Sequence, residues 1–132
     1  MSTVAPHPYR TALENRDARA LLEVLHPGVV FDSPVFEEQI HGRANVLQLF
    51  AVLAGVFEDP EITDELAGDG TRAVVFRTSV EGHPIDGVDY LRLDEAGRVR
   101  RITVTMRPLA SLNALAERMR DTVARLSGTA AG

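Results

Sequence analysis

A chain of 132 residues is the size of a single domain, and with 45% hydrophobic and 25% charged residues it is neither disordered nor fibrous. The absence of cysteine excludes disulfides, thiolate metal sites and cysteine nucleophiles, and a net charge of −5 with scattered arginines argues against a nucleic-acid partner. No stretch of about 18 apolar residues and no basic-flanked apolar leader occurs, so no membrane span and no signal peptide is expected, and a cytoplasmic location follows.

Residues 1–8 read as a flexible, proline-rich lead-in to a single domain over 9–126. Tyr9 to Glu14 forms the first helical segment, and Asp17 is placed to cap a second from Ala18 to about Leu25, which His26-Pro27-Gly28 ends. Val29 to Ser33 reads as a short strand with Val29, Phe31 and Ser33 on one face and Val30 and Asp32 on the other, because side chains alternate along a strand. Ile40-His41-Gly42 leads into the clearest helix, where Val46, Leu49, Phe50, Leu53 and Phe57 recur at helical spacing on one face. Four strands follow, Glu61 to Ala67, Thr71 to Val80, Ile85 to Asp94 and Val99 to Arg107, separated by glycine-rich turns too short for parallel crossovers. Leu109 to Leu126 closes the domain as an amphipathic helix with Leu112, Leu115, Met119 and Val123 on one side, and residues 127–132 read as a flexible tail.

Helices followed by an antiparallel sheet give an α+β arrangement with helices on one face of the sheet. Such layers leave room for an apolar pocket holding a few convergent polar groups, the default ligand site. Asp89 is the residue that stands out: it lies between Val88 and Tyr90 and shares a strand face with Leu91 and Leu93, where a carboxyl needs a partner or a role. His7, His26, His41 and His83 never recur at metal-ligand spacing on one element, so neither a metal site nor a cofactor is expected.

Three stretches, Tyr9 to Val35 (YRTALENRDARALLEVLHPGVVFDSPV), Ile40 to Phe50 (IHGRANVLQLF) and Val88 to Leu109 (VDYLRLDEAGRVRRITVTMRPL), resemble the family of ketosteroid isomerase, SnoaL-like polyketide cyclases and nuclear transport factor 2-like proteins. The resemblance implies a cystatin-like half-open cone with a curved, mostly antiparallel sheet. It also implies that Tyr9 donates a hydrogen bond to a substrate oxygen and that Asp89, held neutral in an apolar setting, donates a second. That pairing of a tyrosine with a protonated aspartic acid is the established ketosteroid isomerase arrangement. One position departs from it: the family's general base stands immediately before the proline where this chain has Ser33-Pro34-Val35, and a serine hydroxyl is a poor base near neutral pH. Epoxide hydrolases of the same fold are a worse match, since Ala73 to Val80 contains no acid.

The expected ligand is therefore a small hydrophobic, carbonyl-bearing molecule. Tyr9 and Asp89 would anchor it, with Phe31, Ser33, His41, Phe50, Leu53, Leu91 and Val104 around it. The implied reaction class is proton-transfer isomerisation, cyclisation or dehydration. The alternative is a non-catalytic ligand-binding or dimerisation module whose cavity is filled by its own side chains. A homodimer through the sheet face carrying Thr103, Thr105 and Arg107 is expected in either case.

Overall fold

The computed structural model describes residues 4–128. Its first helix, α1 (Pro8–Glu14), starts on a proline, whose missing N–H costs nothing there. The His7 ring caps it, Nδ1 accepting the Tyr9 N–H at 3.0 Å while Nε2 lies 2.8 Å from the Gly97 carbonyl. A Schellman turn ends α1: the Asp17 N–H reaches the Ala12 carbonyl at 2.9 Å and the Arg16 N–H reaches that of Leu13 at 3.1 Å. Asp17 serves twice, because its carboxylate accepts the Ala20 N–H and so caps α2 (Ala18–Val24).

The strand β1 (Leu25–Asp32) runs through His26-Pro27-Gly28, where the sequence predicts a break. It does so by slipping register: Leu25 pairs with Val99, and regular pairing with the same strand resumes at Val30. Buried Leu25 and Val29 hold both ends of the irregular stretch to the core, which outweighs the local preference for a turn. The three-residue β2 (Gln39–His41) pairs antiparallel with β1, and α3 (Arg43–Val56) follows Gly42, whose φ of 90° suits glycine. Then come β3 (Glu58–Gly68), β4 (Thr71–Val80), β5 (His83–Leu93), β6 (Val99–Arg107) and α4 (Leu109–Ser127).

The six strands lie in the order β2-β1-β6-β5-β4-β3, antiparallel throughout except for the parallel β1–β6 pair. Pro60 falls in β3, which is the sheet edge, so its missing donor breaks no ladder. The sheet curls into a half-open cone, with α3 and α4 packed on the concave side. Ile102 and Val104 from β6, Val74 and Val80 from β4, and Leu115, Met119 and Val123 from α4 make one core with Val46 and Leu49 of α3. Ser127 belongs to α4 and Gly128 caps it, whereas 129–132 of the expected tail and 1–3 of the expected lead-in lie outside the described residues. No helix among the described residues is long and apolar enough to cross a membrane.

The end of the lead-in is tied to the sheet. Glu65 of β3 has a fully buried side chain, and Oε2 accepts both the His7 backbone N–H at 3.0 Å and Arg72 Nη1 at 2.7 Å. Arg72 Nη1 also donates to the Ala5 carbonyl at 2.9 Å, and Arg10 of α1 stands 3.7 Å from Glu65 Oε1.

Candidate functional site

Between the concave face of the sheet and α1, α3 and α4 lies a cavity of about 340 Å³. The strand contributors reach it by parity. Phe31 comes from the end of β1 and Ser33 from the turn just after it, Phe50 and Leu53 from α3, Val74 and Phe76 from β4, Asp89 from β5, and Val104 and Met106 from β6. The floor is one row of paired residues, Val74 beside Asp89 beside Val104, so the carboxyl rises between two valines. Tyr9 enters from α1 with its ring edge-on to Phe50, which in turn sits edge-on to Phe31.

The Tyr9 hydroxyl donates to Asp89 Oδ2 at 2.8 Å. No second partner for the Asp89 carboxylate occurs among the described residues, so Oδ1 is left to the cavity. Desolvation pushes the Asp89 carboxyl up to about 6, with the Tyr9 hydrogen bond holding it back. Tyr9 is raised well above the ordinary phenol value by burial first and then by the neighbouring carboxylate, and so keeps its proton. This differs from the neutral aspartic acid that the resemblance implies, because a carboxyl titrating near 6 is mostly ionised at neutral pH. It is an acceptor of the Tyr9 proton here, not a second donor.

Phe76 lies down over Gly87, the residue two before Asp89 on the same face of β5. Any Cβ at position 87 would run into the Phe76 ring, and beyond that ring is the cavity. Gly87→Ala is therefore expected to lift Phe76 into the cavity. It should cost about 1–3 kcal/mol by overpacking, read from urea denaturation. Unchanged stability would show that the ring has somewhere else to go.

The other sequence-predicted residues divide. Phe31, Ser33, Phe50, Leu53 and Val104 line the cavity with Tyr9 and Asp89. Leu91 and His41 do not. Leu91 shares the face of Asp89 but stands one pair further along, fully buried against the core beside its cross-strand partner Ile102, which leaves it no access to the cavity. His41 is exposed because β2 alternates, turning Ile40 inward and His41 outward. Asp32 also points away, as its parity predicts. Burial would raise it, but bonds from Arg101 at 2.8 and 3.0 Å, Thr103 at 2.7 Å and Gln39 at 2.8 Å outweigh this and lower it. Ser33 is both lining and turn residue, since its Oγ accepts the N–H groups of Val35 and Phe36 at 3.2 and 3.1 Å. Its hydroxyl proton remains for a ligand. Sequence reasoning missed Phe76, Met106, Ile62 and Leu13 as lining residues. Parity with Val74 and Val104 was signal enough for the first two.

Comparison with known proteins agrees with this fold. The model of the SnoaL-like domain matches residues 8–102. A steroid delta-isomerase from Pseudomonas aeruginosa superposes with a TM-score of 0.81 at 28% identity, over 95% of this chain and 97% of that one. Two proteins described only by their cystatin-like fold share the architecture. One, from Silicibacter pomeroyi, has a TM-score of 0.80 at 24% identity, covering 87% of this chain and 84% of that one. The other, from Xanthomonas campestris, has 0.67 at 23%, covering 81% and 91%. No curated protein matches the chain. A cone closed by α1, α3 and α4 over an aspartate–tyrosine pair, and a family match over most of its length, place this chain in the SnoaL-like domain family.

Proposed function

We propose that the cavity binds a small, largely apolar, carbonyl-bearing molecule and that Asp89 moves a proton at the carbon next to that carbonyl. The observation that carries this reading is the Asp89 carboxyl in an apolar cavity, with one oxygen held by Tyr9 and the other facing open space. A base works best with a pKa near the operating pH, and desolvation brings Asp89 to about 6. The step is balanced within the site. Oδ1 takes the proton from carbon, the C–H electron pair becomes the carbon–carbon double bond of an enolate, and the carbonyl electrons move to oxygen. Once protonated, Asp89 is a poorer acceptor, and the Tyr9 O–H turns to the charge developing on that oxygen. Return of the proton to the same or another carbon gives exchange or isomerisation. In this reading Asp89 supplies the base that Ser33 does not.

Hydrogen–deuterium exchange at the carbons flanking the carbonyl of 2-tetralone, followed by NMR, tests it. The protein is expected to accelerate exchange, with a rate that rises as the pH passes about 6. Asp89→Asn should cost about a hundredfold or more. Acceleration that survives Asp89→Asn would remove Asp89 from the reaction, and no acceleration at all would leave the proton-transfer reading without support.

The partner we propose is a second copy of the chain, docked on the convex face of the sheet. Leu66, Ala73, Tyr90 and Thr103 lie side by side there across four strands, with Leu66 54% and Tyr90 37% exposed. Leu66 and Tyr90 are exposed apolar side chains on one sheet face, which supports reading it as an association surface. Sedimentation equilibrium should show a dimer at tens of micromolar (roughly), and Tyr90→Glu should shift it to monomer. Monomer alone at that concentration would refute the face.

A further inference from the structure

We infer that the ligand carries an anionic group, a carboxylate or its like, at the end opposite the carbonyl, and that Arg16 at the cavity rim binds it. This rests on the reading of the cavity as a ligand site and adds what the far end of the ligand is.

Two independent observations meet at Arg16. The first is its backbone. Arg16 occupies the C′ position of the Schellman turn after α1, at a φ of 52°, in the left-handed region where glycine is the usual residue and a side chain costs stability. The second is its side chain. Arg16 lines the cavity at its open end, and its guanidinium has no ion-pair or hydrogen-bond partner among the described residues. The acids nearby do not neutralise it. Glu14 on the rim faces Arg10 at 3.4 Å, and Glu61, also on the rim, makes no ion pair with Arg16. At the other end of the cavity the Asp89 carboxylate repels a permanent anion, so a charged group on the ligand belongs at the Arg16 end. Guanidinium is suited to such a group because its planar fork matches the two oxygens of a carboxylate. A cation also suits the last turn of a helix through the helix dipole. That structural role would make Arg16 a stabilising residue, whereas a ligand role leaves the strained φ uncompensated.

The test uses two fluorescent probes of one skeleton, 8-anilinonaphthalene-1-sulfonate, which is anionic, and N-phenyl-1-naphthylamine, which lacks the sulfonate. Their affinities are measured for the unaltered protein, Arg16→Gly, Arg16→Gln, Glu61→Gln and Leu53→Trp. The expected result is that both Arg16 variants lose about three- to fivefold of affinity for the anionic probe, the size of an exposed charge contact, while the neutral probe is unaffected. Glu61→Gln should shift the preference the other way. The melting temperature of Arg16→Gly should hold or rise. A preference for the anionic probe that stays within twofold in both Arg16 variants, or an equal loss for both probes with a lower melting temperature, would show Arg16 to be structural and overturn the inference while the cavity reading stands. If the unaltered protein binds neither probe, or Leu53→Trp, which puts a ring into the cavity, binds both as well as before, the inference falls together with the cavity reading.

Discussion

Asp89→Asn is expected to stabilise the protein above pH 6 by on the order of 2–3 kcal/mol and to change little below about pH 3. The sign follows from the raised carboxyl. Desolvation lifts the folded group from 3.8 to about 6, so the native state holds its proton longer than the unfolded chain does. Below about pH 3 both states are protonated and no charge is buried. As pH rises towards 6 the unfolded state ionises first, and stability is lost until the native state has ionised too. Each tenfold difference in proton affinity between the two states is worth about 1.4 kcal/mol, which sets the size. The asparagine oxygen can still accept the Tyr9 O–H, so the variant removes the charge and keeps the contact. Asp32 and Asp94 are lowered in the folded state despite their desolvation, and they lose stability in the opposite direction, as pH falls. The informative quantity is therefore the difference between variant and parent, measured by urea denaturation at each pH. A difference that does not grow between pH 4 and 6 would mean that Asp89 is solvated and is no candidate base.

The largest single loss is expected at Glu65, not in the cavity. Its fully buried carboxylate gathers Arg72, Arg10 and the His7 N–H, and removing one partner of a buried pair leaves the others desolvated without compensation. Glu65→Ala should cost about 3–5 kcal/mol, whereas Glu65→Leu with Arg72→Met should recover a large part by replacing ions with packed apolar groups. The damage should be local first: α1 amides, Tyr9 among them, should exchange with deuterium faster than those of β5. Equal loss in the single and double variants would show that packing, not the buried charge, sets the cost.

Neither the role of Glu65 nor the path of β1 is visible in the sequence, and for the same reason. Both depend on partners far along the chain. Glu65 reads as one acid in a strand, and only the fold brings His7 and Arg10 of the distant N-terminal segment to it. His26-Pro27-Gly28 reads as a stop, and only Val99 on the neighbouring strand explains why the strand carries on. Local pattern did better. The bounds of β4 and β6 match the structure residue for residue, because turn and break signals punctuate them, Gly68-Asp69-Gly70 and Glu81-Gly82 around β4 and Gly97 and Pro108 around β6. Parity likewise sends Asp32 outward and Asp89 inward. Parity fails only in telling how deep along a face a residue lies, and this is why Leu91 belongs to the core and not to the cavity.

The parallel pairing of β1 with β6 sets a timetable for the nascent chain. Phe31 finds Ile102 about 70 residues later, a closure that costs little in equilibrium stability but postpones the contact. The meander β3 to β6 assembles from neighbours as it leaves the ribosome. The earlier segments must wait, with Val29, Phe31, Ile40, Val46 and Leu49 uncovered, until Val99–Arg107 has emerged. A chain stalled before Val99 has emerged therefore exposes a ready surface for chaperones or for its own aggregation, and arrival of β6 is what ends that exposure.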